Sequence, residues 1–153
     1  IFGNSGFIIT NDFDFTTFDW IGIPATDGSL FGQSFGETRV SVSRDGINFY
    51  QLDSASAPTV DKLFPTEGAG DFQTPVDPSL AQKVFAGLNA DGIAELYNGS
   101  GGGAGYDISS ARDADGRNVF LPEIRFIRVD VLSDKSEIDG FAAVIGPRQN
   151  AKH

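Results

Sequence analysis

The chain has no cysteine and no methionine, and its one histidine is His153, the last residue. The absence of cysteine excludes a disulfide framework and any site built on a thiolate. A single terminal histidine gives no support to histidine-based catalysis. Because there is no methionine, Ile1 is not an initiator, and we expect that the chain was processed or is part of a longer protein.

Positive charge is also scarce, because 11 Lys and Arg residues stand against 21 Asp and Glu residues, for a formal net charge of −10. An acidic surface of this kind repels nucleic acid and anionic lipid and attracts cations. No apolar run approaches the roughly 20 residues that a membrane-spanning helix needs. We therefore expect a protein that neither binds nucleic acid nor spans a membrane.

The chain is rich in residues that form a hydrophobic core, since 40% of its 153 residues are hydrophobic and 14 are phenylalanine. This length is typical of one domain. We assign residues 1–147 to that domain and residues 148–153 to a C-terminal tail.

Short alternating segments separated by turn residues predict most of the secondary structure. Residues 38–43 and 47–52 flank Asp45-Gly46, and Asp-Gly between two alternating runs is a strong hairpin signal. Residues 7–10, 123–131 and 138–145 predict further strands, and residues 106–110 a short one. Within residues 11–20, Asp12, Asp14 and Thr16 alternate with Phe13, Phe15 and Thr17. This period of two predicts an edge strand or strand-like loop with one aromatic and one acidic face. We expect loops at residues 22–36 and 53–75 and an exposed turn at 112–118.

Two short helices are predicted, one at residues 79–85 after an Asp77 N-cap and one at residues 90–97. Asn98-Gly99 is typical of a left-handed end for the second helix. Many short strands with little helix indicate an all-β fold, an antiparallel β-sandwich with one or two short helices.

The most biased stretch follows that second helix, where five of the seven residues from Gly99 to Gly105 are glycine. We call residues 99–105 the glycine loop. Such a run indicates either a tight wrap of the chain or a flexible linker. The flanking Tyr97, Tyr106 and Asp107 argue against a linker. A phosphate-binding loop is also disfavoured, because the run has no lysine and follows a helix instead of preceding one.

Several stretches occur in an order that resembles a family of secreted bacterial domains. They are Phe2-Gly3-Asn4, residues 40–43 with residues 45–49, Val76-Asp77-Pro78 with Ala86-Gly87-Leu88, Gly102-Gly103-Ala104-Gly105-Tyr106-Asp107, residues 127–131 and residues 137–141. Domains of this type are often found in exosortase-sorted (PEP-CTERM type) cell-surface proteins. The resemblance covers nearly the whole chain, and its most specific parts are the Gly-Gly-Ala-Gly-Tyr-Asp loop and the Glu-Ile-Asp ending.

The resemblance implies a jelly-roll β-sandwich similar to galactose-binding-like and carbohydrate-binding-module domains. In such domains a carboxylate of the closing strand often holds a structural calcium; here that acid corresponds to Asp139, with Glu137 beside it, and the loop acid corresponds to Asp107. These domains usually carry one more N-terminal strand before the Phe-Gly-Asn element. We expect that this strand lies on another segment, has been removed, or is donated by a partner chain.

Calcium is the candidate cofactor, because hard cations take carboxylate and carbonyl oxygens as ligands. The candidate ligands are five acids: Asp71, Asp77, Asp107, Glu137 and Asp139. The alternative is that these are solvated acids of surface loops. Residues 113–118 form a turn in our interpretation, because they lack the length and the closing Glu of an EF-hand loop.

Carbohydrate is the candidate ligand, since sugar sites stack an aromatic ring on a pyranose face. The candidate contacts are Trp20, Tyr50, Tyr97 and Tyr106, with core packing as the alternative for each, and the phenylalanines are assigned to the core. Glycoside hydrolysis needs only two carboxylates, but no pair with opposed environments stands out.

The sequence therefore predicts a secreted or cell-surface binding domain without catalytic activity, associated with carbohydrate and stabilised by calcium. The alternative is a structural protein of the cell envelope or matrix that assembles into oligomers or filaments through strand edges. A glycan-active hydrolase is a third and weaker interpretation.

Overall fold

A computed structural model describes residues 1–32, 36–52 and 64–144. Short strands dominate this part of the chain, together with one α-helix and two 3₁₀ helices. The strands are β1 (Phe2–Gly3), β2 (Gly6–Ile9), β3 (Phe13–Asp14), β4 (Asp19–Trp20), β5 (Thr26–Phe31), β6 (Thr38–Ser43), β7 (Tyr50–Gln51), β8 (Phe126–Val131) and β9 (Ile138–Gly140). The α-helix is α1 (Ala90–Tyr97), and the 3₁₀ helices are Gln82–Phe85 and Ile108–Ser110.

The described strands form four small antiparallel sheets. Their strand orders are β7-β6-β8, β2-β5, β3-β4 and β1-β9. The prediction of a β-rich fold is confirmed. None of these sheets closes on itself, so the described residues support a β-rich architecture and no finer classification.

The predicted hairpin around Asp45-Gly46 is confirmed as β6 and β7, with β8 on the other side of β6. Asp45 holds the turn, because its Oδ1 accepts hydrogen bonds from the backbone N–H groups of Asn48 and Ile47, both at 2.8 Å. Gly46 has a φ of +76°, a conformation that glycine adopts without strain. The residues before Tyr50 belong to the turn, so the second strand of the hairpin, β7, is shorter than the predicted strand at residues 47–52.

The predicted loop at residues 22–36 is wrong, because it contains the six-residue strand β5. This strand pairs with β2 and is also tied to Leu88, whose carbonyl accepts the Thr26 N–H at 2.9 Å. Gly28 suggested a turn, but it marks a close approach: a Cβ there would lie 2.8 Å from the Gln82 carbonyl oxygen. Glycine within a strand often marks a site where another part of the backbone approaches closely.

Helix α1 is confirmed with both of its ends. The Asn89 side chain accepts the Gly92 N–H at 3.0 Å, and Asn98 closes the helix in the left-handed conformation with φ 49° and ψ 47°. The other predicted helix is reduced to the 3₁₀ helix Gln82–Phe85, although Asp77 caps the preceding turn by accepting the Ser79 N–H at 2.9 Å.

Three other predictions need correction or lie outside the described residues. The predicted strand at 106–110 is wrong, because Asp107 caps the 3₁₀ helix Ile108–Ser110 by accepting the Ser109 N–H at 2.8 Å. The last strand, β9, ends at Gly140, whereas the prediction extended it to residue 145. Residues 53–63 of the predicted loop and the tail at 148–153 lie outside the described residues.

Two groups of buried side chains form the core. One consists of Val40, Val42, Leu52 and Ala111 on and near the β6 sheet. The other surrounds α1 and consists of Phe64, Val76, Phe85, Ile93 and Tyr97. No helix in the described part of the chain is long and apolar enough to cross a membrane, which is compatible with the expectation drawn from composition.

Candidate functional site

The glycine loop begins where α1 ends, and Tyr97 anchors it in the core. Only 2% of Tyr97 is exposed, and its hydroxyl donates a hydrogen bond of 2.9 Å to the Pro65 carbonyl oxygen. Burial raises the pKa of the Tyr97 hydroxyl, and the nearby Glu67 adds to this effect. Tyr97 therefore packs in the core, as the alternative interpretation proposed, because no face of its buried ring is accessible to a sugar.

The loop is a tight wrap of the chain against its own backbone. Asp71 donates its N–H to the Gly99 carbonyl at 2.8 Å and accepts the Gly101 N–H at 2.9 Å. Farther along, the Gly103 N–H binds the Phe64 carbonyl and the Ala104 N–H binds the Ile1 carbonyl, both at 2.7 Å. Because these donors and acceptors are paired within the protein, the loop is a fixed structural element, and the linker interpretation is wrong.

Close contact explains why two of these residues are glycine. Gly102 and Gly103 have φ values of +82° and +81°. A Cβ on Gly103 would lie 2.6 Å from the Phe2 ring, and one on Gly102 would overlap the Pro65 carbonyl oxygen. Both the backbone conformation and the space therefore require glycine.

The five predicted calcium ligands do not come together in one group. Asp71 accepts the Gln73 N–H at 2.9 Å and the Thr74 hydroxyl at 2.8 Å, and the former hydrogen bond contributes most to its lowered pKa. Asp77 and Asp107 cap turns through Ser79 and Ser109. The hydrogen bond from Ser79 also lowers the pKa of Asp77.

The other two predicted ligands lie near and on β9. Glu137 accepts the Asn4 side-chain amide at 2.7 Å, and this bond, with Lys135 at 3.7 Å, lowers its pKa. Asp139 is exposed on β9. Among residues 1–32, 36–52 and 64–144, no three His, Cys, Asp or Glu side chains come together in a group that could hold a metal. The structure therefore gives four of these acids hydrogen-bonding roles within the protein, and calcium stays a prediction.

The second feature is an exposed aromatic cluster on the hairpin of β3 and β4, which we call the aromatic hairpin (residues 13–20). The ring of Phe13 lies at its centre, 5.1 Å from Trp20, 5.2 Å from Phe15 and 5.4 Å from Phe18 between ring centroids. The interplanar angles are 77°, 73° and 81°, respectively. These are edge-to-face contacts, which aromatic rings prefer over a direct sandwich.

Two of the four rings are largely exposed to solvent, and a third is partly exposed. Phe15 is 83% exposed, Phe18 80% and Trp20 41%. The assignment of every phenylalanine to the core is therefore wrong at Phe15 and Phe18. It is also wrong outside the hairpin, at the exposed Phe31, Phe72, Phe120, Phe126 and Phe141.

The alternation over residues 12–17 placed Phe13 and Phe15 on one face and could have identified Phe15, but it gave no signal for Phe18. The segment forms a hairpin of two short strands, β3 and β4, and not the single edge strand that the alternation predicted.

The turn of this hairpin is held by Asp14 and contains an unusual backbone conformation. The Asp14 Oδ1 accepts the Thr16 N–H at 2.7 Å, and this bond lowers the pKa of Asp14. Phe18 has a φ of +61°, and its N–H binds the Asp14 carbonyl at 2.8 Å. A bulky residue in this conformation costs about 1–3 kcal/mol and is found where the surrounding structure enforces it, often at functional sites.

The third feature is a cavity of about 500 Å³ beside the glycine loop, which we call the apolar cavity. Its walls come from the inner face of β6 (Val40 and Val42), the loop residues 102–105, the segment 72–76 and the segment 141–144. Tyr106 and Asp107, two of the predicted site residues, line it as well. Tyr50 is partly buried and packs against the Val40 group of the core. No local pattern in the sequence indicates this cavity, because its walls come from distant segments.

The aromatic hairpin shares no residue with the other two features, whereas the glycine loop forms one wall of the apolar cavity. Trp20 belongs to the aromatic hairpin, Tyr106 and Asp107 border the apolar cavity, and Tyr97 is buried behind the glycine loop. Comparison of the chain with protein-family models, with curated proteins and with solved structures finds no match.

Proposed function

We propose that this protein is an extracellular or cell-surface binding domain without catalytic activity, and that it binds carbohydrate through the aromatic hairpin. The observation that supports this proposal most strongly is the exposure of Phe15, Phe18 and Trp20 around the central Phe13 ring. Large exposed apolar side chains that lie together mark interaction surfaces far more often than isolated ones do.

The chemistry of the hairpin suits a sugar. The apolar C–H face of a pyranose packs on an aromatic ring, and the ring provides this surface at a low cost in conformational entropy. Asp12 and Asp19 are exposed next to Phe13 and Trp20 in the chain, and their carboxylates can accept hydrogen bonds from sugar hydroxyls. The net charge of −10 disfavours uronates and other anionic sugars. We therefore expect neutral or amino sugars to bind.

The experiment is affinity electrophoresis or calorimetry against a panel of neutral, cationic and anionic polysaccharides. We expect Trp20→Ala and Phe15→Ala each to weaken binding about tenfold, since losing one stacked aromatic ring removes roughly 0.5–1.5 kcal/mol beyond its buried area. Phe120→Ala is the matched control, because Phe120 is 88% exposed and lies outside the hairpin. A panel without any binding, or equal binding by all three variants and the wild type, would refute the proposal.

The jelly-roll arrangement and the structural calcium belong to the same proposal and rest on the resemblance to secreted bacterial surface domains. Secretion rests on the same ground. Calcium would stabilise the fold without taking part in sugar binding, because none of the five candidate ligands lies on the aromatic hairpin.

The second candidate is a structural protein that assembles through strand edges. It is favoured by β8, which lies at the edge of its sheet among the described strands and exposes Phe126 and Val131. An open strand edge can pair with a strand of another chain. Sedimentation or light scattering over a range of protein concentrations tests this idea. A monomer at every concentration would contradict it, whereas oligomers that dissociate in Val131→Lys would support it over the glycan proposal.

A further inference from the structure

The apolar cavity is a second site on this protein, distinct from the aromatic hairpin. Its volume of about 500 Å³ falls within the roughly 300–1,000 Å³ typical of small-molecule pockets. None of the hairpin residues 13–20 contributes to its walls. Any ligand bound there would therefore not compete directly with a sugar on the hairpin.

The walls combine residues of the protein core with the glycine loop. Val40, Val42 and Leu52 belong to one buried core group and Val76 to the other, and all four border the cavity. Another part of the lining is Gly102 and Gly103, whose backbone is held by the hydrogen bond from the Gly103 N–H to the Phe64 carbonyl. A cavity lined by such fixed elements is preformed, and preformed pockets bind with a small conformational cost.

Much of the surface of this cavity is apolar and in contact with water. The cavity is partly open to solvent, since Phe141 and Val144 of its lining are 52% and 51% exposed. Water bound against its apolar walls finds few of the two to four polar partners that it needs. An apolar ligand seated against Val40 and Val42 would remove this surface from water, which is favourable in proportion to the apolar area buried.

Charge decides which apolar ligand suits the cavity. Asp107 lines it, no Lys or Arg does so among the described residues, and the Ile1 α-amino group, also of a lining residue, is engaged by the Ala104 carbonyl at 2.9 Å. The whole chain carries a net charge of −10. A carboxylate-headed ligand such as a fatty acid would be repelled by this field. We infer that the apolar cavity binds a small, predominantly apolar molecule without negative charge, such as a medium-chain alcohol or a comparable neutral compound.

The experiment uses the full chain and the neutral dye Nile red, whose fluorescence rises in apolar surroundings. We expect saturable dye binding that 1-decanol displaces and that decanoate displaces at least tenfold less well, since the two share one chain and differ in head group. We expect Asp107→Asn to reduce the difference between decanol and decanoate in displacing the dye. Asp91→Asn removes the same charge outside the cavity, and we expect it to leave that difference unchanged. The side-chain amide introduced by Asp107→Asn still offers an oxygen to the Ser109 N–H, so the local turn is kept.

Substitutions that fill the cavity provide the second part of the test. A Cβ at Gly105 meets no atom within 4 Å, and Gly105 lines the cavity, so Gly105→Phe adds bulk without a backbone clash. Ala142→Phe adds bulk from another lining segment, residues 141–144. Gly68→Phe is the matched control, since a Cβ there also meets no atom and Gly68 does not line the cavity.

We expect both filling variants to lose dye affinity at least tenfold and Gly68→Phe to keep it, with folding confirmed by circular dichroism. Trp20→Ala separates this site from the hairpin: if it abolishes dye binding while Gly105→Phe and Ala142→Phe do not, the dye binds the aromatic hairpin and the inference is wrong. Absence of saturable binding to the folded protein, or equal displacement by decanol and decanoate, would overturn it too.

Discussion

Three alanine substitutions in the glycine loop test whether this loop is a fixed wrap of the chain. Gly99, Gly103 and Gly105 lie within seven residues of one another, yet the structure gives them different constraints. Gly103 has a φ of +81°, and a Cβ there would lie 2.6 Å from the Phe2 ring. Gly99 has a φ of +84° with open space around the Cβ position, and Gly105 has open space and no positive φ.

The magnitudes follow from these two constraints. A residue with a Cβ in the left-handed conformation loses about 1–2 kcal/mol relative to glycine, so Gly99→Ala should destabilise by about that amount. Overpacking a well-filled site adds about 1–3 kcal/mol, which brings Gly103→Ala to a total of about 2–5 kcal/mol. Gly105→Ala carries neither penalty, and the reduced entropy of the unfolded chain should make it neutral or stabilise it by about 0.4–1 kcal/mol.

Urea unfolding followed by circular dichroism measures the free energy of unfolding of all four proteins. With a slope of about 2 kcal/mol per M, Gly103→Ala should lower the midpoint by about 1–2.5 M, Gly99→Ala by about 0.5–1 M and Gly105→Ala not at all. Equal stability of Gly103→Ala and Gly105→Ala would refute the tight wrap, because a flexible loop would accept alanine at both positions. An effect of Gly99→Ala as large as that of Gly103→Ala would show that contact with Phe2 does not matter.

Three further predictions concern single side chains. Tyr97→Phe should destabilise by about 1–3 kcal/mol, because it leaves the buried Pro65 carbonyl without its donor; Tyr50→Phe, at a partly buried ring, serves as the control in the same urea assay. Hydrogen bonds from Asn48 and Ile47 lower the pKa of Asp45 in the folded protein. The ionised Asp45 therefore stabilises the folded state at pH values above its unfolded pKa of about 4, and this stabilisation is lost on acidification. The urea midpoint should therefore fall between pH 5 and pH 2, and it should fall less in Asp45→Asn; equal slopes would contradict the turn assignment. For calcium, we expect 1 mM CaCl₂ to raise the melting temperature above its value in EGTA, by an amount set by mass action, and Asp107→Asn to reduce the rise. Identical melting temperatures in CaCl₂ and EGTA would remove calcium from the proposed function.

Elements whose stabilising contacts are local could be predicted from the sequence. The β6–β7 turn depends on Asp45 and residues within three positions of it, and α1 depends on Asn89 at one end and Asn98 at the other. In both cases the side chain that caps the element lies within a few residues of the backbone it binds. Periodicity and capping rules describe such contacts well.

The candidate sites were only partly predictable, for a different reason. Alternation placed Phe13 and Phe15 on one face, and Trp20 was a candidate because sugar sites use aromatic side chains. The exposure of Phe15 and Phe18 depends on whether another segment covers them. The sequence groups the five acids as one candidate site because all are carboxylates, while the structure gives each of Asp71, Asp77 and Asp107 a nearby backbone N–H. Composition gives the number of carboxylates, but it does not show which of them lie close together in the folded protein.

By itself, the sequence determined the β-rich character, the central hairpin, and helix α1 with its left-handed end. The need for glycine at Gly102 and Gly103 became clear only from their contacts with Pro65 and Phe2 in the structure. Only the tertiary structure decided that residues 26–31 form a strand, that Tyr97 is buried, and that distant segments enclose the apolar cavity. The physical reason is the range of the interactions involved. Thr26 is held by Leu88, 62 residues away in the chain, and Ala104 by Ile1, and no local pattern encodes a hydrogen bond across such distances.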